Sequence, residues 1–190
     1  MKRFRIKDFI SEHITFRQSS MFAFDMTSNF DKLLSEIEGK KCLVIGGAGT
    51  IGSNFIKQLI KFNPSNLVVV DINENGLTEL TRDLRSSKLL DYRSEYITYP
   101  VNLLSDTFDK IFNSDKWDVV ANFSAHKHVR SEKDKISVEA LIKNNVFGAI
   151  KLLNLCESNP PKYFFSVSTD KASNPVNVMG ASKSLMEKLI

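Results

Sequence analysis

Apolar positions along the chain follow two alternating rhythms. Phe30, Leu33, Leu34 and Ile37 fall at helical spacing, with Ser28 and Asp31 placed as a capping box and Gly39 at the helix end. Five short apolar runs follow: Cys42–Ile45, Leu67–Val70, Tyr96–Val101, Val119–Phe123 and Tyr163–Val167. They predict strands. Between and after them, helices are predicted over Ile51–Lys61, around Leu77, Leu80 and Leu84, around Phe108, Ile111 and Phe112, along Val138–Leu153, and over Met179–Ile190. Strands that alternate with helices and are apolar on both faces predict a parallel α/β sheet covered on both sides.

Residues 1–27 lack this periodicity. They read as an irregular arm with a short helix near Ile6–His13, its phenylalanines (Phe4, Phe9, Phe16, Phe22, Phe24) set to dock on the main domain or a neighbouring subunit. Residues 28–190 form the predicted domain. Its last helix stops on the apolar Ile190 with no cap, which reads as a chain cut short, with later strands and a substrate-closing part missing.

Composition narrows the class. The chain has 190 residues, 42% hydrophobic and 25% charged, with a net charge of +4. That fits an ordinary globular protein and excludes a disordered one. No Lys/Arg-dense face points to nucleic acid. No run approaches the roughly 18 apolar residues of a membrane span, and no apolar stretch follows the basic start as a secretory signal would require. Cys42 and Cys156 sit in apolar runs and read as buried thiols in a reducing compartment. The expected location is the cytoplasm, and no metal-ligand spacing is present.

The candidate chemistry begins after the first strand. Gly46-Gly47-Ala48-Gly49-Thr50-Ile51-Gly52 opens a helix, with Gly46, Gly49 and Gly52 three apart. Glycine there permits a tight turn, close backbone approach to a pyrophosphate and close helix–strand packing. Thr50, Ile51 and Gly52 then offer helix N-terminal N–H groups to phosphates. Asp71 ends the next strand, nineteen residues beyond Gly52, where a carboxylate accepts ribose hydroxyls and repels a 2′-phosphate. The expected fold is therefore a Rossmann-type doubly wound sheet of strand order 3-2-1-4-5, and the expected cofactor is NAD, with NADP possible.

The segment Ser166 to Lys183 is the most informative. It places Thr169, Asp170 and Lys171 in succession at a strand end, then Pro175 and Asn177 in a loop, then Met179 and Lys183 one helical turn apart. The GxxGxxG spacing resembles the extended short-chain dehydrogenase/reductase superfamily. STDKxxNPxNxMGxxK, with the His126–Lys133 segment after the fourth strand, resembles the CapD-type nucleotide-sugar 4,6-dehydratases of polysaccharide biosynthesis. This sequence carries Met179 where most of the superfamily has tyrosine.

The resemblance implies a redox-neutral cycle converting UDP-N-acetylglucosamine to a UDP-4-keto-6-deoxy-N-acetylhexosamine. It implies Asp170 as acid at C6, Lys171 as base at C5, Lys183 at the nicotinamide ribose and Thr169 near the C4 hydroxyl, with no base assigned there. It further implies cofactor contacts at Asn102, Ser124, Ala125 and Asn145, substrate contacts at Lys127, His128, Asn177 and Met179, and a homo-oligomer. Two alternatives stay open: a dinucleotide-binding module without activity of its own, and an epimerase or reductase of the same superfamily.

Overall fold

The computed structural model describes residues 5–90, 94–127 and 132–190. The chain divides into two units, 1–36 and 37–190.

The first unit holds α1 (Ile6–His13), α2 (Ala23–Ser28) and most of α3 (Phe30–Ile37). Helix α1 covers the predicted residues. The capping box does not form: Ser28 is the last residue of α2, and Asn29 separates it from α3, accepting Leu33 N–H at 2.9 Å. Ala23 to Met26 contains good helix formers, and these residues build a short helix of their own. Gly39 ends α3 as expected, at φ +69° with Lys40 N–H returning to Ile37 O.

The second unit alternates strand and helix: β1 (Lys41–Ile45), α4 (Thr50–Leu59), β2 (Asn66–Asp71), α5 (Glu74–Ser86), β3 (Glu95–Pro100), α6 (Asp106–Asn113), β4 (Val119–Asn122), α7 (Lys135–Ile142), α8 (Gly148–Ser158), β5 (Tyr163–Ser166) and α9 (Val178–Leu189). All neighbouring strands pair in parallel, in the order β3-β2-β1-β4-β5. Successive residues of a strand face opposite sides. Cys42, Val44, Leu67, Val69 and Ala121 therefore pack with Ile56, Leu59, Leu77, Leu80 and Leu84 of α4 and α5. Leu43, Ile45, Val68, Val70 and Val120 pack with Phe108, Phe112, Leu152 and Cys156 of α6 and α8. Each fully buried Leu or Phe contributes roughly 1.5–3 kcal/mol. Both cysteines are free and buried. Among the described residues no helix is long and apolar enough to cross a membrane.

The register brings the carboxyl ends of four strands level. Ile45 pairs with Val70 and Asn122, and Asn122 pairs with Ser166. The residues that leave these strands share one edge, where open α/β sheets bind ligands.

One departure from regular helix lies close to that edge. Helices α7 and α8 form one continuous rod broken by a π-helical turn, Lys143–Phe147. It inserts an extra residue into the ladder and aims Asn145 inward.

Candidate functional site

A cleft of about 660 Å³ opens over the carboxyl ends of the strands. The glycine loop forms one wall. Gly46 adopts φ +76°, a region costly to residues with a Cβ, and a Cβ there would lie 2.5 Å from the Ser124 nitrogen. A Cβ on Gly52 would collide with Gly46 O. The loop can be this tight only because both positions are bare.

Helix α4 then starts at the N-cap Gly49 with no side chain capping it, whereas α5, α6, α7 and α9 are capped by Asn73, Ser105, Asp134 and Asn177. The helix start keeps its N–H groups for a ligand. Asp71 braces this wall: its carboxylate accepts Ala48 N–H and Asn73 N–H, each at 2.9 Å. Asn102 lines the next stretch and accepts Leu104 N–H at 2.8 Å.

The floor is set by a chain of side-chain bonds across the strand ends. Asn122, 3% exposed, accepts from the Ser124 backbone at 3.0 Å and the Ser124 hydroxyl at 2.7 Å, and donates to Ser166 Oγ at 3.1 Å. Ser168 Oγ lines the cleft, buried with no partner in the protein. A buried hydroxyl without a partner is costly, so it favours a polar ligand group beside it. The bare-glycine cradle, the uncapped helix start and this orphan hydroxyl all fit a dinucleotide.

The opposite wall carries the reactive groups. After β5, Asp170–Ala172 form a 3-10 turn. Thr169 Oγ1 donates to Asp170 Oδ1 at 2.9 Å. Helix α9 seats directly on this turn: a Cβ on Gly180 would lie 2.5 Å from Lys171 O. The helix is started twice, by Asn177 Oδ1 accepting Gly180 N–H at 2.8 Å and by Glu132 accepting Met179 N–H at 2.8 Å.

One turn on, Lys183 is 5% exposed and donates to Val167 O at 2.9 Å, with Met186 Sδ at 3.5 Å. Burial lowers its amine from 10.5 to about 8, with Glu187 pulling weakly the other way.

Gly46, Gly49, Thr50, Ile51, Gly52, Asp71, Asn102, Ser124, Ala125, Lys127, Thr169, Lys171, Met179 and Lys183 all line this one cleft. Three expected contacts stand outside its lining. Asn145, 2% exposed, is spent behind the wall: it accepts His126 N–H at 2.9 Å and donates to His126 O and Ser182 Oγ, both at 3.0 Å. Asn177 caps α9, and Asp170 turns to solvent beside Thr169. His128 lies outside the described residues.

Sequence reasoning missed Ser168 and Glu132. Ser168 carried a signal, as a hydroxyl at a strand's carboxyl end. Glu132 carried none, because its bond to α9 spans 47 residues.

Comparison with known proteins agrees with this geometry. An uncharacterized membrane protein of Methanocaldococcus jannaschii is 37% identical over 160 residues, covering 84% of this chain and 45% of that protein. The inverting UDP-N-acetylglucosamine 4,6-dehydratase of Campylobacter jejuni is 28% identical, covering 80% of this chain and 42% of that enzyme. The chain thus spans less than half the length of these relatives. Among solved structures, Pen from Bacillus thuringiensis superposes with a TM-score of 0.69 at 24% identity, covering 81% of this chain and 45% of that one. The family model described as polysaccharide biosynthesis protein matches residues 42–190. That span takes in all of the sheet but Lys41 and every wall of the cleft, and the chain belongs to this family.

Proposed function

We propose that this chain carries the cofactor site and catalytic wall of a cytoplasmic NAD-dependent nucleotide-sugar 4,6-dehydratase. The reaction converts UDP-N-acetylglucosamine to a UDP-4-keto-6-deoxy-N-acetylhexosamine. The observation that carries this reading is the joining of Thr169, Lys171, Met179 and Lys183 in one cleft with the glycine loop and Asp71. The similarity to the Campylobacter jejuni dehydratase supports it. Met179 counts against an epimerase, which would want tyrosine at that position.

The glycine loop and the α4 start hold the diphosphate, Asp71 the adenosine ribose, and Ser124, Ala125 and Ser168 the nicotinamide end. A nicotinamide bound there would supply a reversible hydride acceptor for C4 and donor for C6. The protein's groups handle the protons. Thr169 orients the C4 hydroxyl. Lys171, at the mouth of the cleft, removes the C5 proton once C4 is a ketone and returns a proton to C5 when hydride adds at C6. Asp170, hydrogen-bonded to Thr169 just outside the lining and open to solvent for its proton, is the acid for the departing C6 oxygen, so that water leaves. Lys127 lies on the rim, placed for the sugar diphosphate.

The test is incubation with NAD+ and UDP-N-acetylglucosamine, followed by mass and NMR analysis of the sugar nucleotide. A 4-keto-6-deoxy product is expected, and Lys171→Ala abolishes it. Solvent deuterium entering C5 at the wild-type rate in that variant would overturn the Lys171 assignment. Binding of NAD+ without conversion would favour the binding-module alternative.

A further inference from the structure

We infer that Lys183 itself is the acid–base group at the sugar C4 hydroxyl, in the post where the superfamily pattern has the tyrosine that Met179 replaces. This assignment rests on the dehydratase reading and completes its proton inventory. As hydride leaves C4 for the nicotinamide, the C4–H and O–H bonds break and a C=O bond forms. The hydroxyl proton passes to the Lys183 lone pair, giving the ammonium; C4 is oxidised and the nicotinamide ring is reduced. The ammonium then releases this proton to bulk water, which resupplies the proton spent on the departing C6 oxygen.

The geometry fits this role in three respects. Lys183 lies one helical turn from Met179 and lines the same cleft, while no tyrosine lines it among the described residues. The amine is held by Val167 O at 2.9 Å and Met186 Sδ at 3.5 Å. A neutral amine satisfies both with its two N–H bonds and keeps its lone pair free. No carboxylate lies within ion-pairing distance of Nζ among the described residues, so nothing fixes it as a permanent cation.

The charged and titratable groups around it are Glu187 on α9, Glu132 at the start of α9 on Met179 N–H, Lys171 after β5, and His126 and Lys127 after β4. Asp71 ends β2, three strands from β5 in the sheet. Burial favours the neutral amine, and Glu187 opposes it. Its lowering to about 8 by burial agrees with this, since a base works best when its acidity lies near the working pH.

Two measurements test the assignment. In the chain with carbon-13 lysine, NMR titration should show one side-chain amine titrating near pH 8, absent in Lys183→Met. An amine titrating with the other lysines would overturn the assignment. For turnover, Lys183→Cys is alkylated to S-aminoethylcysteine, whose amine is more acidic than lysine's. The parent protein treated in the same way controls for alkylation of the native thiols Cys42 and Cys156.

Alkylation should restore conversion of UDP-N-acetylglucosamine, with the rising limb of kcat against pH moved to lower pH. His126→Phe should leave that limb in place. Restored conversion with an unmoved limb would sink the assignment alone, as would loss of the limb in His126→Phe. No conversion by the unmodified protein would sink the dehydratase reading and this assignment with it.

Discussion

Lys183→Met separates what the buried amine does for stability from what it does in the cleft. The folded state lowers this amine from 10.5 to about 8, chiefly by burial. At pH 7 the protonated amine therefore costs the folded state about 3 kcal/mol relative to a freely solvated lysine. Methionine has a similar length and no charge, so the substitution removes that cost. It also removes the bond to Val167 O, about 1 kcal/mol. The variant should be more stable than the parent at pH 7 by about 2 kcal/mol, while losing function.

The sign follows from proton counts. Between about pH 8 and 10.5 the unfolded chain binds this proton and the folded chain does not, so parental stability rises with pH through that window. The advantage of methionine should hold up to about pH 8, shrink above it, and turn into a deficit of about 1 kcal/mol past 10.5. Urea unfolding of both chains at pH 7, 8.5 and 10 reads the difference, with the other lysines cancelling between them. A variant no more stable than the parent at pH 7, or a difference that does not change with pH, would refute the reasoning.

Three further outcomes are expected. Gly46→Ala forces a side chain into a left-handed turn against the Ser124 nitrogen. It should cost about 1–3 kcal/mol and weaken NAD+ binding by calorimetry, and unchanged affinity would contradict the cradle. Asn145→Leu strands the His126 N–H and C=O, and should cost about 2–4 kcal/mol in urea unfolding. Glu132→Ala removes the acceptor of Met179 N–H, and amide exchange at Met179 should speed up about tenfold; unaltered exchange would place the start of α9 under Asn177 alone.

The sheet was legible because each central strand is a short β-branched run buried on both faces, as Leu67–Val70 shows. The cofactor wall was legible because Gly46 and Gly52 answer a local steric demand that only glycine meets. The second helix of the first unit was not, since six residues are too few to display a helical period. The hydrogen bonding of Asn145 was hidden for another reason. Its partners lie 19 and 37 residues away, and a polar residue inside a helical pattern looks the same whether it meets solvent or a buried backbone. Contacts with no fixed sequence offset leave no periodic trace, which is also why Glu132 went unseen.

The π-helical turn at Lys143–Phe147 has an evolutionary corollary. A single-residue deletion inside it would restore a regular α-helix and, taken alone, would strengthen local hydrogen bonding. It would leave the flanking helices on nearly the same faces but withdraw Asn145 from His126 and Ser182. This stretch should therefore tolerate many substitutions at its exposed positions while rejecting changes of length. A survey of viable one-codon deletions along the gene should show a gap there, even though surface helices ordinarily accept them more readily than strands do.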